Sequence, residues 1–188
     1  MTGTKAAVSL NPAPRPPPVS IMPPPTLAAR LPVLAAVVLG VLVLGRAWVS
    51  DDAFITFRTV DMLWHGHGLV FNPGERVQAY THPLWFFFLV LGGRLGIDLY
   101  YAAVLGGVAC AAGTAYLVAR MLPPLSAIMV VALLATSPSF LDFSTSGLEN
   151  SLTHLLVAAM LWMAFGGDGP LDASRARWLV FFGGLAIL

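Results

Sequence analysis

An all-α fold that crosses a membrane several times is what the sequence predicts, and three observations carry that expectation. Of the 188 residues, 57% are hydrophobic and only 10% are charged, with a mean hydropathy of +0.80. A soluble domain of this size lacks the interior to hide so much apolar surface, so its solvent is lipid. The apolar residues also come in successive runs with charged residues at their ends, and the signs of those charges sort by end. The net charge of +1 selects no class of partner; its distribution is what informs. The single cysteine, Cys110, lies inside an apolar run. It offers neither a disulfide nor a cysteine metal site and reads as a small packing residue.

Residues 1–30 form a region apart. They hold eight of the fifteen prolines, no acidic residue and three basic ones, Lys5, Arg15 and Arg30. Runs such as Pro16-Pro17-Pro18 and Pro23-Pro24-Pro25 favour polyproline II and exclude helix, which predicts a disordered cytoplasmic tail. A secretory signal fits less well, because no small-x-small cleavage site precedes Asp51. Leu31 to Val49 is therefore expected to be a retained membrane anchor with its N-terminus inside.

Counting every later apolar run as a span gives a contradictory charge map. Pro83 to Ile97, about 15 residues, reaches only about 22 Å as a helix against a ~30 Å hydrocarbon core, and Gly92, Gly93 and Arg94 break it. Were it to span, Arg120, Arg175 and Arg177 would lie near outer ends, against the positive-inside tendency. Laid along the outer interface, it leaves residues 50–98 as one large external loop. The further spans are then 99–122, 125–143, 151–165 and a last one over 178–188 that the chain end cuts off. On this map Lys5, Arg15, Arg30, Arg120, Arg175 and Arg177 lie inside. Seven of the nine carboxylates (Asp51, Asp52, Asp61, Glu75, Asp98, Asp142 and Glu149) lie outside.

The external loop has readable parts. Ala53, Phe57, Val60 and Trp64 share one helical face and Arg58, Asp61 and His65 another, which predicts an amphipathic juxtamembrane helix lying on the membrane surface. His65-Gly66-His67-Gly68 breaks it, and Asn72-Pro73-Gly74-Glu75 is a turn. The cluster Trp85-Phe86-Phe87-Phe88 suits a second interfacial helix, because aromatic rings favour the headgroup level.

Chemistry points to two acidic places at the same membrane face. Asp51 and Asp52 stand at the outer end of the first apolar run, where carboxylates beside hydrocarbon are costly unless they face water, a metal or a partner. Capping of the following helix is the bland alternative, but one cap needs one Asp. Glu149, in Ser144-Thr145-Ser146-Gly147-Leu148-Glu149-Asn150-Ser151, is the second place; Ser146 to Glu149 also has capping-box spacing. Two acidic sites at one face can bracket a cation or a reacting hydroxyl. His65 and His67 lack a third metal ligand and read as solvated turn residues. Tyr80 and His82, just before Pro83, are candidates for contact with a polar ligand, and His154, in the fourth span, is either a buried hydrogen-bonding residue or part of the site. No phosphate-gripping glycine loop, nucleophile elbow or basic-aromatic patch for nucleic acid is found.

Taken together, the acidic pair after the first span, the surface helix ending in Gly-x-Gly, Asn72-Pro73-Gly74-Glu75-Arg76-Val77, Thr81-His82-Pro83-Leu84-Trp85 and Ser146-Gly147-Leu148-Glu149 resemble the integral-membrane glycosyltransferases of the C type. Within them, Asp51-Asp52-Ala53-Phe54-Ile55-Thr56-Phe57-Arg58 looks most like the actinobacterial terminal arabinofuranosyltransferases, and like related motility-annotated membrane proteins. The resemblance covers roughly residues 31 to 188 and is most specific over 51 to 85. It implies a polyprenyl-phosphate sugar donor, a cell-envelope glycan acceptor, and an active site on the outer face of the cell membrane. Asp51 or Asp52 would be catalytic, with Glu149 as the second external acid. Asp51 is expected to react while Asp52 caps the surface helix or holds a cation, and the reverse order stays open. Arg58 and Arg76 are the external cations able to hold a phosphate, with ion pairs to Asp61 or Glu75 as the alternative. No cofactor is identified, although the acidic residues leave room for a divalent cation. Such enzymes carry many more spans and a soluble C-terminal domain, so this chain reads as an N-terminal piece, not expected to act alone. The competing class is a transporter segment or a surface-organelle assembly factor. A transporter would place polar residues near the midplane of its spans, whereas here they gather at one face, with His154 and Thr153 the main exceptions.

Overall fold

Apolar stretches punctuated by proline and glycine fold into helices wherever regular structure occurs in the computed structural model, which describes residues 27–75, 77–166 and 171–187. In chain order these are α1 (Leu27–Leu44), α2 (Asp51–Trp64), α3 (Pro83–Arg94), α4 (Leu99–Met121), α5 (Pro124–Thr136), α6 (Pro138–Phe143), α7 (Asn150–Phe165) and α8 (Ala173–Ile187). The all-helical expectation holds for the described residues. Among them only α4 is long and apolar enough to cross a membrane by length and composition.

The centre of the assembly is α4, which packs against α1, α3, α5 and α7. Its buried Gly107, Ala111, Ala115 and Ala119 recur every fourth residue, a small-residue row that lets neighbouring backbones approach closely. Against it α1 sets Ala35, Leu39 and Val43, also four apart, and Phe140 and Leu141 of α6 complete this cluster. A second cluster joins Ala53, Phe57 and Val60 of α2 to Trp85, Phe86 and Leu89 of α3 and to Ala102 and Ala103 of α4. The apolar face expected of α2 is thus present, but it is buried in the protein's own core.

Four boundaries differ from expectation, each for a local reason. Helix α1 starts at Leu27, inside the stretch read as a tail, and stops at Leu44 rather than Val49. Beyond it the chain bonds to α6 and the loop that follows it: the Trp48 backbone N–H donates to Thr145 Oγ1 at 3.3 Å, the Trp48 indole to the Asp142 carbonyl at 2.8 Å, and Arg46 pairs with Asp142 at 3.2 Å. The expected span 125–143 is divided into α5 and α6 at Ser137-Pro138, where proline cannot continue the hydrogen-bond ladder and Ser137 Oγ accepts from the Phe140 N–H. Helix α8 starts at Ala173 rather than Trp178, since Asp172 Oδ1 accepts from the Arg175 N–H at 2.7 Å. The Arg175 guanidinium then donates to the carbonyls of Met163 and Ala164 at the end of α7, where a cation complements the helix dipole.

These bonds sort the helix ends. The end of α1, the starts of α2 and α7, and α6 meet at one pole. Leu31, Ala119 and Ala127, near the start of α1, the end of α4 and the start of α5, meet at the other.

Candidate active site

Ser50 is the N-cap of α2, so Asp51 and Asp52 are its first two helical residues. The unpaired N–H groups and dipole of a helix N-terminus favour carboxylates there. The expectation that Asp52 caps the helix is corrected: no side chain caps it, and Ser50 holds the position by its backbone. Consecutive helical residues diverge by about 100°, which separates the two aspartates. Asp52 shares a face with Ile55 and Thr56. These three line an open cleft of about 560 Å³ together with Gln78 to Thr81 before α3 and Leu148 and Glu149 before α7. Asp51 is exposed and does not belong to that lining.

Glu149 arrives from far along the chain. It is the N-cap residue of α7 but makes no side-chain cap, so the capping box read from Ser146 to Glu149 does not form. Its Oε1 instead accepts a hydrogen bond from Thr81 Oγ1 at 2.9 Å. The loop before it is clamped at backbone level. The Ser50 N–H donates to the Ser146 carbonyl at 2.8 Å, and the Trp85 indole donates to the Gly147 carbonyl at 2.8 Å. Ser144, Thr145 and Ser146 are fully enclosed. Gly147 has φ +86°, and an added Cβ would sit 2.5 Å from Ala53 Cβ, so this residue allows the loop to lie directly on α2. Three separate elements thereby fix where Glu149 projects.

The cleft brings together Asp52, Tyr80 and Glu149 of the residues singled out from sequence. Tyr80 is half-buried and stacks on Phe86, ring centroids 4.5 Å apart. His82 is buried in a different role: its Nδ1 accepts from the Trp85 N–H at 3.4 Å and caps α3. Arg58 is already engaged with neither Asp61 nor Glu75. Its guanidinium donates to the Phe71 carbonyl at 2.9 Å and Asn72 Oδ1 at 2.7 Å and lies over the Phe71 ring, bracing the loop after α2. Arg76 lies outside the described residues. His65 bonds back to Asp61, and His154 faces Phe140 on another side of α7. Sequence reasoning missed Thr56, Gln78 and above all Thr81, whose partner is 68 residues away and leaves no local periodic signal.

Chemically, two carboxylates line an open, water-accessible cleft, and among the described residues no basic side chain lines it with them. Such a pair can take a proton from a hydroxyl or hold a cation. Among the described residues no three His, Cys, Asp or Glu side chains converge as a metal site.

The fold and cleft define a helical, strongly apolar protein with an acidic site at one pole. It is similar to two proteins of known name. The chain is 38% identical over 156 residues to a terminal β-(1→2)-arabinofuranosyltransferase of Mycobacterium tuberculosis, covering 76% of this chain and 25% of that protein. It is 36% identical over 146 residues to a terminal β-(1→2)-arabinofuranosyltransferase of Corynebacterium glutamicum, covering 70% of this chain and 21% of the relative. The chain is therefore homologous to the terminal arabinofuranosyltransferases and spans about a quarter of their length or less. No family model matches the chain, and no solved structure matches it.

Proposed function

We propose that this chain supplies the acidic site of a multi-pass membrane glycosyltransferase. The enzyme moves an arabinofuranosyl unit from a polyprenyl-phosphate donor to a cell-envelope glycan on the outer face of the membrane. The observation that carries the reading is that Asp52 and Glu149, 97 residues apart in the sequence, line one cleft in a chain homologous to two arabinofuranosyltransferases. Helix surfaces rich in exposed apolar side chains, such as Val41 (64%), Leu125 (72%), Leu133 (67%) and Val180 (74%), support a lipid environment. The pole that carries the cleft is then the outer one, with the N-terminus cytoplasmic.

In this mechanism a carboxylate of the cleft takes the proton of the acceptor hydroxyl as its oxygen bonds to the anomeric carbon. The bond from that carbon to the phosphate oxygen breaks, and the electron pair leaves with the polyprenyl phosphate. Asp52 is the base and Glu149, held by Thr81, orients the acceptor hydroxyl. Asp51, turned aside from the cleft, contributes at most through the local field.

The test uses the complete open reading frame in membranes, with a polyprenyl-phosphate arabinofuranose donor and an arabinofuranosyl acceptor. Asp52→Asn and Glu149→Gln are each expected to lower transfer by about 10²- to 10⁴-fold, the usual worth of a positioned acid or base; Asp51→Asn is expected to cost far less. Wild-type rates in both cleft variants at equal expression would sink the assignment.

A further inference from the structure

On the other side of the α7 N-terminus lies a second cleft of about 410 Å³, lined by Leu134, Ser137, Ser139, Phe140, Phe143, Asn150 and His154. Its composition contrasts with the first: among the described residues no carboxylate, lysine or arginine lines it. Phe140 and His154 form an aromatic wall, their rings 5.1 Å apart and 30° from parallel. Around that wall Ser139 and His154 are exposed and Asn150 is half-buried, so their polar groups are open to a ligand. Among the described residues the Ser139 hydroxyl, the Asn150 amide and the His154 ring nitrogens make no hydrogen bond. Ser137 Oγ accepts from the Phe140 N–H and keeps its own proton to donate. Uncommitted hydroxyl, amide and imidazole groups beside aromatic faces suit a ligand that offers many hydroxyls and C–H faces but no charge.

Position narrows the ligand further. Asn150 follows Glu149 directly, and successive helical residues point about 100° apart. The two clefts therefore open on either side of one helix terminus, and a molecule bound across it must be longer than a single sugar, since a helix with its side chains is about 10 Å wide. We propose that this second cleft is a subsite for a neutral oligosaccharide, the acceptor glycan, whose reacting end passes over the start of α7 into the acidic cleft. The inference rests on the transferase reading and assigns the acceptor's path within it.

The experiment compares a short arabinofuranosyl glycoside with a longer linear oligosaccharide as acceptors for the full-length protein in membranes. In parallel, the longer oligosaccharide is tested for direct binding by saturation-transfer NMR in detergent. The wild type is expected to favour the longer acceptor. In Asn150→Ala and in Ser139→Ala that preference is expected to shrink roughly two- to tenfold through KM, the scale of one neutral hydrogen bond, and saturation transfer is expected to weaken in step. Either substitution removes a polar group at the rim of the helix bundle, so unfolding does not confuse the result. A preference and a binding signal unchanged in both variants would overturn the proposal while leaving the transferase reading intact. Binding that depends on Asn150 and Ser139 in a protein without transferase activity would keep the subsite and discard the reaction. Absence of both transfer and binding in the wild type would overturn the two together.

Discussion

Thr81 and Glu149 stand 68 residues apart in the chain and 2.9 Å apart at the cleft. A hydroxyl that donates to one carboxylate oxygen fixes the rotamer of that carboxylate and leaves its second oxygen to the cleft. The bond is exposed, so its worth lies in alignment more than in stability. Thr81→Ala is expected to lower kcat about three- to tenfold, less than the roughly 1.5–3 kcal/mol of a hydrogen bond to a charged group because this one is exposed, with the melting temperature unmoved and Thr81→Ser restoring most of the rate. Equal kcat in the alanine and serine variants would remove Thr81 from the site. Arg58 teaches the converse lesson. As an external cation in the sequence it suits phosphate, yet its guanidinium is spent on Phe71 and Asn72, which only tertiary structure reveals.

At the scale of elements, the loops depend on glycine in two different ways. Gly147 combines φ +86° with contact against Ala53, whereas Gly74 has φ +87° and open space around it. A left-handed conformation costs an L-residue about 1–2 kcal/mol, so Gly74→Ala is expected to lose roughly that much in thermal or denaturant unfolding of the detergent-purified protein. Gly147→Ala is expected to lose distinctly more, because Ala53 must also give way; equal losses would show that the loop can lift off α2. The Arg46–Asp142 pair, exposed on both sides, is expected to matter little, with Arg46→Ala costing under about 1 kcal/mol. Most helices were legible because each is an apolar run bounded by Pro, Gly or Asp, and α2 could be placed from the periodicity of Ala53, Phe57, Val60 and Trp64. The ends of α1 and the break between α5 and α6 were not legible. Trp48 looks like the continuation of an apolar run, and only its bonds to Asp142 and Thr145 draw it out of the helix. Of the site, the acidic residues could be read from composition against position; that Asp52 rather than Asp51 faces the cleft depends on helix phase relative to a partner loop.

For the whole molecule, the gathering of helix ends at two poles makes topology testable. With Cys110 replaced by serine, single cysteines at Gly74 and Ser139 are expected to react with an impermeant thiol reagent added outside intact cells, and one at Pro123 only after permeabilisation. Labelling of all three from one side would contradict the proposed orientation. The cleft also has a history in time, because its walls come from residues 52–56, 78–81 and 148–149. At ribosomal rates of about 5–20 residues per second, the roughly one hundred residues from Asp52 to Glu149 take about 5–20 s to emerge. Throughout that interval the backbone N–H of Ser50 and the indole of Trp85 wait for the carbonyls of Ser146 and Gly147 that will receive them. A nascent chain halted before its seventh helix therefore carries its first carboxylates with no site to put them in, and a cell that samples such intermediates meets a protein whose acidic pole is still unbuilt.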